Sequence, residues 1–486
     1  MKNGINAQDK IVMPELKGLT NVYFIGIGGI GMSALARYFL EKGVHVGGYD
    51  KTETQLTKEL VKEGVSISYT DDINAIPKNA ELIVYTPAIP KEHTGLIYYQ
   101  QNGYTVVKRS DVLGAITLEG FNICVAGTHG KTTISTMIAH ILRDSGFECN
   151  AFLGGISSNY GTNFWSYNSV ETDAKEISVI EADEYDRSFL KLYPDIAVIS
   201  SMDADHLDIY GDETNMQDAF IAFGNKVKEN GLLIIKKGLK RTKDINTKNK
   251  WDYSLQNDTA TVFAKDIQIH EGGYYFNVHL HELIISGLKL NVGGMHNVEN
   301  MVAAIAVAGR LKIDDEKIRK AVANYTGVKR RFEYIIPPIT QEKGGYLQTV
   351  FIDDYAHHPE ELKALLKSTR SLFPQRKITV IFQPHLFTRT RDFKSEFADS
   401  LSLADQVLLL PIYPAREKPI EGVSSEIIFS EINVEKKIIE KGALVDWMKT
   451  YVQTINKEFG EVIITAGAGD IDALVAPLKH IIQNER

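Results

Sequence analysis

Cysteine is almost missing from this chain: there are two, Cys124 and Cys149, in 486 residues. They fall in one short region, so no disulfide framework holds the fold and a reducing compartment suits them. No apolar stretch is long enough to span a membrane, and the opening Met1-Lys2-Asn3-Gly4-Ile5-Asn6 has no hydrophobic signal core. A long basic run is absent too, and 54 Lys+Arg against 62 Asp+Glu give a net charge of −8. That balance argues against nucleic acid or an anionic membrane as the main partner. What remains is ordinary for a soluble globular protein, with 44% hydrophobic and 24% charged residues. A chain this long exceeds one core, which implies two to four domains. The expectation is a cytoplasmic enzyme that binds neither nucleic acid nor membrane.

The chain is organised around residues 122–133, Asn-Ile-Cys-Val-Ala-Gly-Thr-His-Gly-Lys-Thr-Thr. Ile123 to Ala126 reads as a buried strand, Gly127 to Gly130 as a turn, and Lys131 as the start of a helix. Ile134, Met137, Ile138, Ile141 and Leu142 recur at helical spacing. A strand turning through glycines into a helix N-terminus offers backbone N–H groups and a positive dipole end to an anion. Gly127, Thr128, His129, Gly130, Lys131, Thr132 and Thr133 therefore form a phosphate-binding loop for ATP. Lys131 reaches the β/γ-phosphates and the Thr132 hydroxyl takes Mg²⁺. Only Thr128 and His129 separate the two glycines, a shorter spacing than the generic nucleotide loop has.

Before the loop, residues 22–117 alternate strands and helices: strands over Val22–Ile27, Val44–Tyr49, Val65–Ser68, Glu81–Tyr85 and Thr105–Val107, and a helix over Ile30–Glu41. That rhythm predicts a parallel sheet flanked by helices. Gly26-Ile27-Gly28-Gly29-Ile30-Gly31 occupies the first strand-to-helix turn and Asp50 ends the second strand. A diphosphate on the helix N-terminus at Gly28, Gly29, Ile30 and Gly31, with a ribose hydroxyl on Asp50, satisfies this pattern. NAD and a UDP-sugar both supply those groups; the nucleotide loop further on favours a ligase over a dehydrogenase.

After the loop, Ile177–Ile180 and Ile196–Ser200 read as strands that deliver acidic clusters, Glu181 to Asp186 and Met202 to Asp208, at their C-terminal ends. Ligands of open α/β sheets bind beyond those ends, so both clusters should face the loop. Mg²⁺ takes oxygen ligands and keeps waters, needing one or two protein groups besides the phosphates. Residues 236–290 read as a β-rich flap. Asn297 and Asn300, on one face of an Ala-rich helix, are placed to read an adenine edge. Residues 349–486 resume the α/β rhythm: strands over Thr349–Asp353, Lys377–Gln383, 406–410 and 461–466, and helices over Pro359–Leu372, 392–403 and from about 470. Polar clusters close two of these strands, Asp353 to Pro359 and Gln383 to Arg391.

Taken in order, Gly26–Gly31, Ala126–Thr133, Glu181–Asp186, Asp205–Tyr210, His296–Asn300, Arg330–Phe332, Asp354–Pro359 and Phe382–Asp392 resemble the motifs of the Mur ligases over nearly the whole chain. His129 in the loop, Phe382 to His385 and Thr388 to Asp392 are similar to the branch that adds alanine to UDP-N-acetylmuramate. The resemblance implies three α/β domains, each a mainly parallel sheet flanked by helices: a Rossmann-like UDP-sugar domain (1–117), a central P-loop ATPase domain (118–325) and a Rossmann-like amino-acid domain (326–486). It implies ATP and Mg²⁺ as cofactors and UDP-N-acetylmuramate and L-alanine as substrates, joined through an acyl phosphate, and leaves open whether the chain is a monomer or a homodimer. Glu181 and His206 would hold Mg²⁺ with Thr132, and Lys131, Glu181, His206 and His357 would be catalytic. Arg331 and Asp354 would bind the nucleotide's phosphate or ribose. Tyr355, His357, His385 and Arg389 would form the amino-acid site, with Arg389 on the alanine carboxylate. Leu386 and Phe387 stand where the family usually has Arg and Tyr, and no counterpart of the siblings' carbamylated lysine is evident near Tyr210–Phe223. The alternatives are a ligase that reattaches a preformed tripeptide, and an NAD-binding dehydrogenase or sensor.

Overall fold

A computed structural model describes residues 15–167, 175–203, 207–270, 272–338, 349–415, 417–456 and 460–484. The chain divides into two compact units. One comprises Met1–Ile156, Gly161–Tyr253 and Ala303–Ile313; the other comprises Ser157–Tyr160, Ser254–Val302 and Asp314–Arg486.

The first unit opens with β1 (Asn21–Ile25), α1 (Ile30–Glu41), β2 (His45–Tyr49), α2 (Gln55–Lys62), β3 (Ser66–Ser68), β4 (Leu82–Tyr85), α3 (Thr94–Gln101), β5 (Val106–Lys108) and α4 (Arg109–Leu118). Its strands form one parallel sheet in the order β3-β2-β1-β4-β5. Central β1 is buried along Val22–Ile25 with no alternation, as a parallel strand covered on both faces must be. Helix α1 buries Met32, Leu35, Ala36 and Phe39 against it.

The same unit continues with β6 (Phe121–Ala126), α5 (Lys131–Asp144), β7 (Asn150–Phe152), β8 (Phe164–Trp165), β9 (Ile177–Glu181), β10 (Ile196–Ile199), α6 (Leu207–Tyr210), α7 (Glu213–Gly224), β11 (Leu232–Lys236) and β12 (Lys250–Ser254). These strands run in the order β12-β11-β10-β6-β9-β7-β8, all parallel except β8. Buried Arg37 of α1 ties the two sheets together: it pairs with Glu63 at 2.7 Å and bonds Asn163, whose amide donates to Ser33 Oγ at 3.0 Å.

In the second unit, β13 (Val262–His270), β14 (Gly273–Leu280) and β15 (Leu283–Leu290) form an antiparallel meander. The stretch expected to be β-rich over 236–290 is so, and β13 to β15 pair antiparallel. Its partly exposed strands pair through short connections, which only antiparallel neighbours permit. Then follow α8 (Met295–Arg310), whose residues from Ala303 on are counted with the first unit, α9 (Asp315–Asn324), β16 (Glu333–Ile336), β17 (Val350–Asp354), α10 (Pro359–Leu372), β18 (Lys377–Phe382), α11 (Phe387–Asp392), α12 (Lys394–Leu401), β19 (Gln406–Leu409), α13 (Glu426–Phe429), β20 (Glu435–Ile438), α14 (Lys441–Tyr451), β21 (Glu461–Ala466) and α15 (Asp472–Asn484). The sheet order is β16-β17-β21-β18-β19-β20, parallel except at β16. The helix expected over 392–403 begins earlier and is broken at Phe393 (φ −120°, ψ 24°), whose ring lies 5.0 Å from that of His358. The protein therefore has three α/β bodies with mostly parallel sheets.

Candidate active site

Strand β6 lies between β10 and β9 and ends at Ala126, so the following loop leaves the carboxyl edge of the central sheet. Gly127 (φ +143°) could not carry a side chain: a Cβ there would fall 2.1 Å from Ser200 Oγ. Gly130 (φ +86°) turns the chain into α5 and has no side chain to cap it, which leaves the first-turn N–H groups to an anion or water. Ser200 and Ser201, just past β10, brace the loop. Thr128 Oγ1 and His129 N donate to Ser201 Oγ at 2.9 and 2.7 Å, and Ser200 Oγ donates to the His129 carbonyl. Sequence reasoning assigned these serines no role; the available signal was two adjacent hydroxyls at the end of the neighbouring strand.

Lys131 is held by two residues. Its Nζ donates to the Gly127 carbonyl at 2.8 Å and pairs with the Glu184 carboxylate at 2.7 Å. Glu184 is 1% exposed. Burial pushes its pKa up, and the Lys131 charge pulls it back. The Tyr210 hydroxyl fixes the same residue by donating to the Glu184 carbonyl at 2.6 Å. Glu184 was read only as one member of an acidic cluster.

The acids after β9 have separate partners. Glu181 accepts from Gly154 N at 3.0 Å, Asp183 pairs with Arg109 at 3.0 Å, and Asp186 lies 3.6 Å from Lys108 Nζ. Among the described residues no group of three or more His, Cys, Asp or Glu could hold a metal. The oxygen donors Thr132, buried at the first turn of α5, and Glu181, at the end of β9, suit Mg²⁺ completed by phosphates and water. His206 lies outside the described residues.

In the first sheet the structure brings Gly28–Gly31 and Asp50 together. Gly28 N donates to Asp50 Oδ2 at 2.8 Å and Thr52 N to Oδ1 at 3.2 Å, while Gly29 is the N-cap of α1. The carboxylate therefore already has two backbone donors in this state.

In the second unit, Asn297 is buried and its amide donates to the Gly293 carbonyl at 2.7 Å; Asn300 donates to Asn297 Oδ1 at 3.2 Å. Both carboxamides are thus engaged at the helix start. Asp354 accepts from Phe332 N and Ala356 N, each at 2.7 Å, and so fastens the turn Arg330–Phe332 to the end of β17. Arg330 and Phe332 take left-handed backbone angles (φ 60° and 47°), and Arg331 between them is exposed. Burial raises the Asp354 pKa to about 6, against the two backbone bonds, and that of neighbouring Asp353 to about 7, against the Arg330 charge.

Tyr355, His357, His385 and Arg389 form one group. The His357 ring lies 5.1 Å from Tyr355 and 5.9 Å from His385, and Arg389 Nη1 is 3.5 Å from the His357 carbonyl. Burial lowers the pKa of both histidines, which favours neutral imidazoles able to take a proton. Tyr413, absent from the sequence reading, stacks on His385 at 5.7 Å, and its carbonyl accepts from Leu386 N at 2.9 Å. Leu386 (φ 71°) is thereby a backbone corner into α11.

Three family domains match in sequence. Residues 21–120 match the Mur ligase family catalytic domain, 125–308 the Mur ligase middle domain, and 330–469 the Mur ligase glutamate ligase domain. The UDP-N-acetylmuramate–L-alanine ligase of Porphyromonas gingivalis is 45% identical over 472 residues, covering 96% of this chain and 99% of that protein. The crystal structure of UDP-N-acetylmuramate-alanine ligase MurC from Thermotoga maritima superposes with a TM-score of 0.77 at 26% identity, over 96% of this chain and all of that one. A murein peptide ligase from Psychrobacter arcticus shares the fold, with a TM-score of 0.63 and 22% identity over 96% of this chain and 99% of its own.

Proposed function

Because the chain belongs to the Mur ligase family, we propose that it joins L-alanine to the lactyl carboxylate of UDP-N-acetylmuramate at the expense of ATP, yielding ADP and phosphate. The observation that carries this reading is the braced loop at Gly127–Thr133 with Lys131 at the head of α5, in a chain 45% identical to a ligase named for that reaction.

A carboxylate is a poor electrophile. Its oxygen attacks the γ-phosphorus of ATP, the bond to the β-bridging oxygen breaks, ADP leaves, and an acyl phosphate forms. That step is mostly positioning and charge neutralisation. Lys131 leaves Glu184 for the β/γ-phosphates, and the first-turn N–H groups of α5 bind phosphate oxygens. Thr132, Glu181 and His206 would hold Mg²⁺, which would offset the negative charge of the phosphates. Gly28–Gly31 and Asp50 bind the diphosphate and ribose of the UDP-sugar, while Asn297, Asn300, Arg331 and Asp354 serve the ATP nucleotide.

In the second step the alanine amine attacks the acyl carbon and phosphate departs. Arg389 pairs with the alanine carboxylate, a planar bidentate match. Tyr355, His357 and His385 surround the amine, and a neutral imidazole takes the proton it loses. No helix among the described residues is long and apolar enough to cross a membrane.

The test is direct. Purified protein with Mg-ATP, UDP-N-acetylmuramate and L-alanine should release ADP and phosphate and give a product heavier by one alanine residue. Phosphate release driven by the preformed tripeptide and not by alanine would move the chain to the recycling branch. NADH binding with no response to UDP-N-acetylmuramate would move it out of the ligases.

A further inference from the structure

The third glycine of Gly26–Gly31 has an unusual neighbour. In a dinucleotide fingerprint that glycine lets the helix approach the strand. Here a Cβ at Gly31 would fall 1.8 Å from Nη1 of Arg109, so what the missing side chain admits is a guanidinium. Gly31 is in the first turn of α1, where the N–H groups point outward and the dipole favours negative charge. Arg109 opens α4, and its Nη2 pairs with Asp183 Oδ2 at 3.0 Å. Two other residues at this end of α4 also meet the segment after β9: Lys108 lies 3.6 Å from Asp186 and Asp111 lies 2.5 Å from Lys191. Of the three, Arg109 is the one pressed against α1.

A cation beside the positive end of a helix is unfavourable unless an anion compensates both. In the structure that anion is Asp183, which is itself partly exposed. We propose that Arg109 is a substrate-binding residue, which exchanges Asp183 for the diphosphate of the UDP-sugar when that ligand docks on the first turn of α1. Phosphate offers the guanidinium fork two oxygens and carries more charge than a carboxylate.

This inference rests on the proposed function, and the experiment separates the two. The full chain is titrated calorimetrically with UDP-N-acetylmuramate, UDP and uridine. Losing a hydrogen bond to a charged group predicts that Arg109→Ala weakens UDP and UDP-N-acetylmuramate about tenfold to a hundredfold, leaving uridine, which has no diphosphate, unchanged. Arg109→Lys should fall between, lowering the ratio of UDP to uridine affinity by less. Asp183→Asn removes the resting partner and keeps the guanidinium, so UDP affinity should hold or rise. Equal UDP binding by wild type and Arg109→Ala overturns the proposal alone. A loss in Asp183→Asn matching that in Arg109→Ala also overturns it, since the arginine would then be a strut. A wild-type chain that binds neither UDP nor UDP-N-acetylmuramate sinks the functional reading and this inference with it.

Discussion

Replacing Lys131 by alanine should cost stability as well as catalysis, and the two losses can be pulled apart. Lys131 Nζ lies 2.7 Å from Glu184, which is 1% exposed. Taking one partner from a buried ion pair costs about 3–5 kcal/mol, because the remaining charge stays desolvated. For a body of 150–250 residues, each kcal/mol moves the melting temperature by about 2–4 °C, so Lys131→Ala should melt roughly 6–20 °C lower. The effect depends on pH with a definite sign. Glu184 already has a raised pKa in the folded state, so its contribution to stability is present at low pH and lost as pH rises through that value. Without Lys131 the opposing pull is gone and the folded pKa climbs further. The gap between wild type and Lys131→Ala should therefore be small in acid, where Glu184 is protonated in both, and widen toward neutrality. Adding Glu184→Gln removes the charge and should recover most of the melting temperature. It should not recover phosphoryl transfer, which stays orders of magnitude down in both variants. Calorimetric melts from acid to neutral pH beside a phosphate-release assay decide the matter. A Lys131→Ala protein that melts like wild type at neutral pH refutes the buried-pair argument, and one that turns over normally refutes the role in phosphoryl transfer.

Gly154→Ala would put a methyl carbon 2.2–2.3 Å from both Glu181 oxygens; displacing that carboxylate should slow phosphate release about a hundredfold while UDP-sugar affinity by calorimetry stays constant. Asp50→Ala removes the acceptor of Gly28 N and Thr52 N and should weaken UDP-N-acetylmuramate about tenfold, with the KM for ATP unchanged. Arg389→Ala should raise the KM for alanine at least about tenfold and leave that for ATP almost alone, as initial rates against each substrate will show. Burial lifts the Asp353 pKa to about 7, so this residue's contribution to stability is present below its unfolded value and fades as pH rises through about 7. Asp353→Asn should flatten that part of the stability curve, and parallel slopes in the two proteins would count against the shift.

Where an apolar repeat met a clear stop, the elements were legible. Ile30–Glu41, Pro359–Leu372 and Glu461–Ala466 have the expected limits: Gly29 and Pro359 mark helix starts, and β21 is buried along its whole length around Val462-Ile463-Ile464. Strands β7 and β8 were not read because three and two residues leave no periodicity. They exist by pairing outward from β9. The break at Phe393 was hidden for another reason, since its flanks are both helical and the interruption comes with a ring contact to His358, distant in sequence. Leu386 and Phe387 looked like gaps in a binding motif. Leu386 instead forms a left-handed corner pinned by Tyr413, a role for its backbone.

At the candidate site the sequence pointed to the proposed binding groups and concealed what holds them. Lys131 was legible because strand, glycines and helix surround it; Glu184 was one acid among several, and nothing local says that it, rather than Glu181 or Asp183, turns toward the lysine. The same holds for Asp50 on Gly28 N and for Asp183 on Arg109. There is a common physical reason. A cation or a row of helix N–H groups shaped to fit phosphate is costly to leave without a compensating acceptor as water is excluded, so the protein supplies carboxylates of its own. On the proposed reading, the phosphates that Lys131 and Arg109 take displace Glu184 and Asp183, and the observed affinity is the difference between two ionic contacts. Acid-to-amide changes at Glu184 and Asp183 should thus hold or tighten anion binding where changes at Lys131 and Arg109 weaken it. That contrast in sign follows from the geometry of the pairs, and no motif could have supplied it.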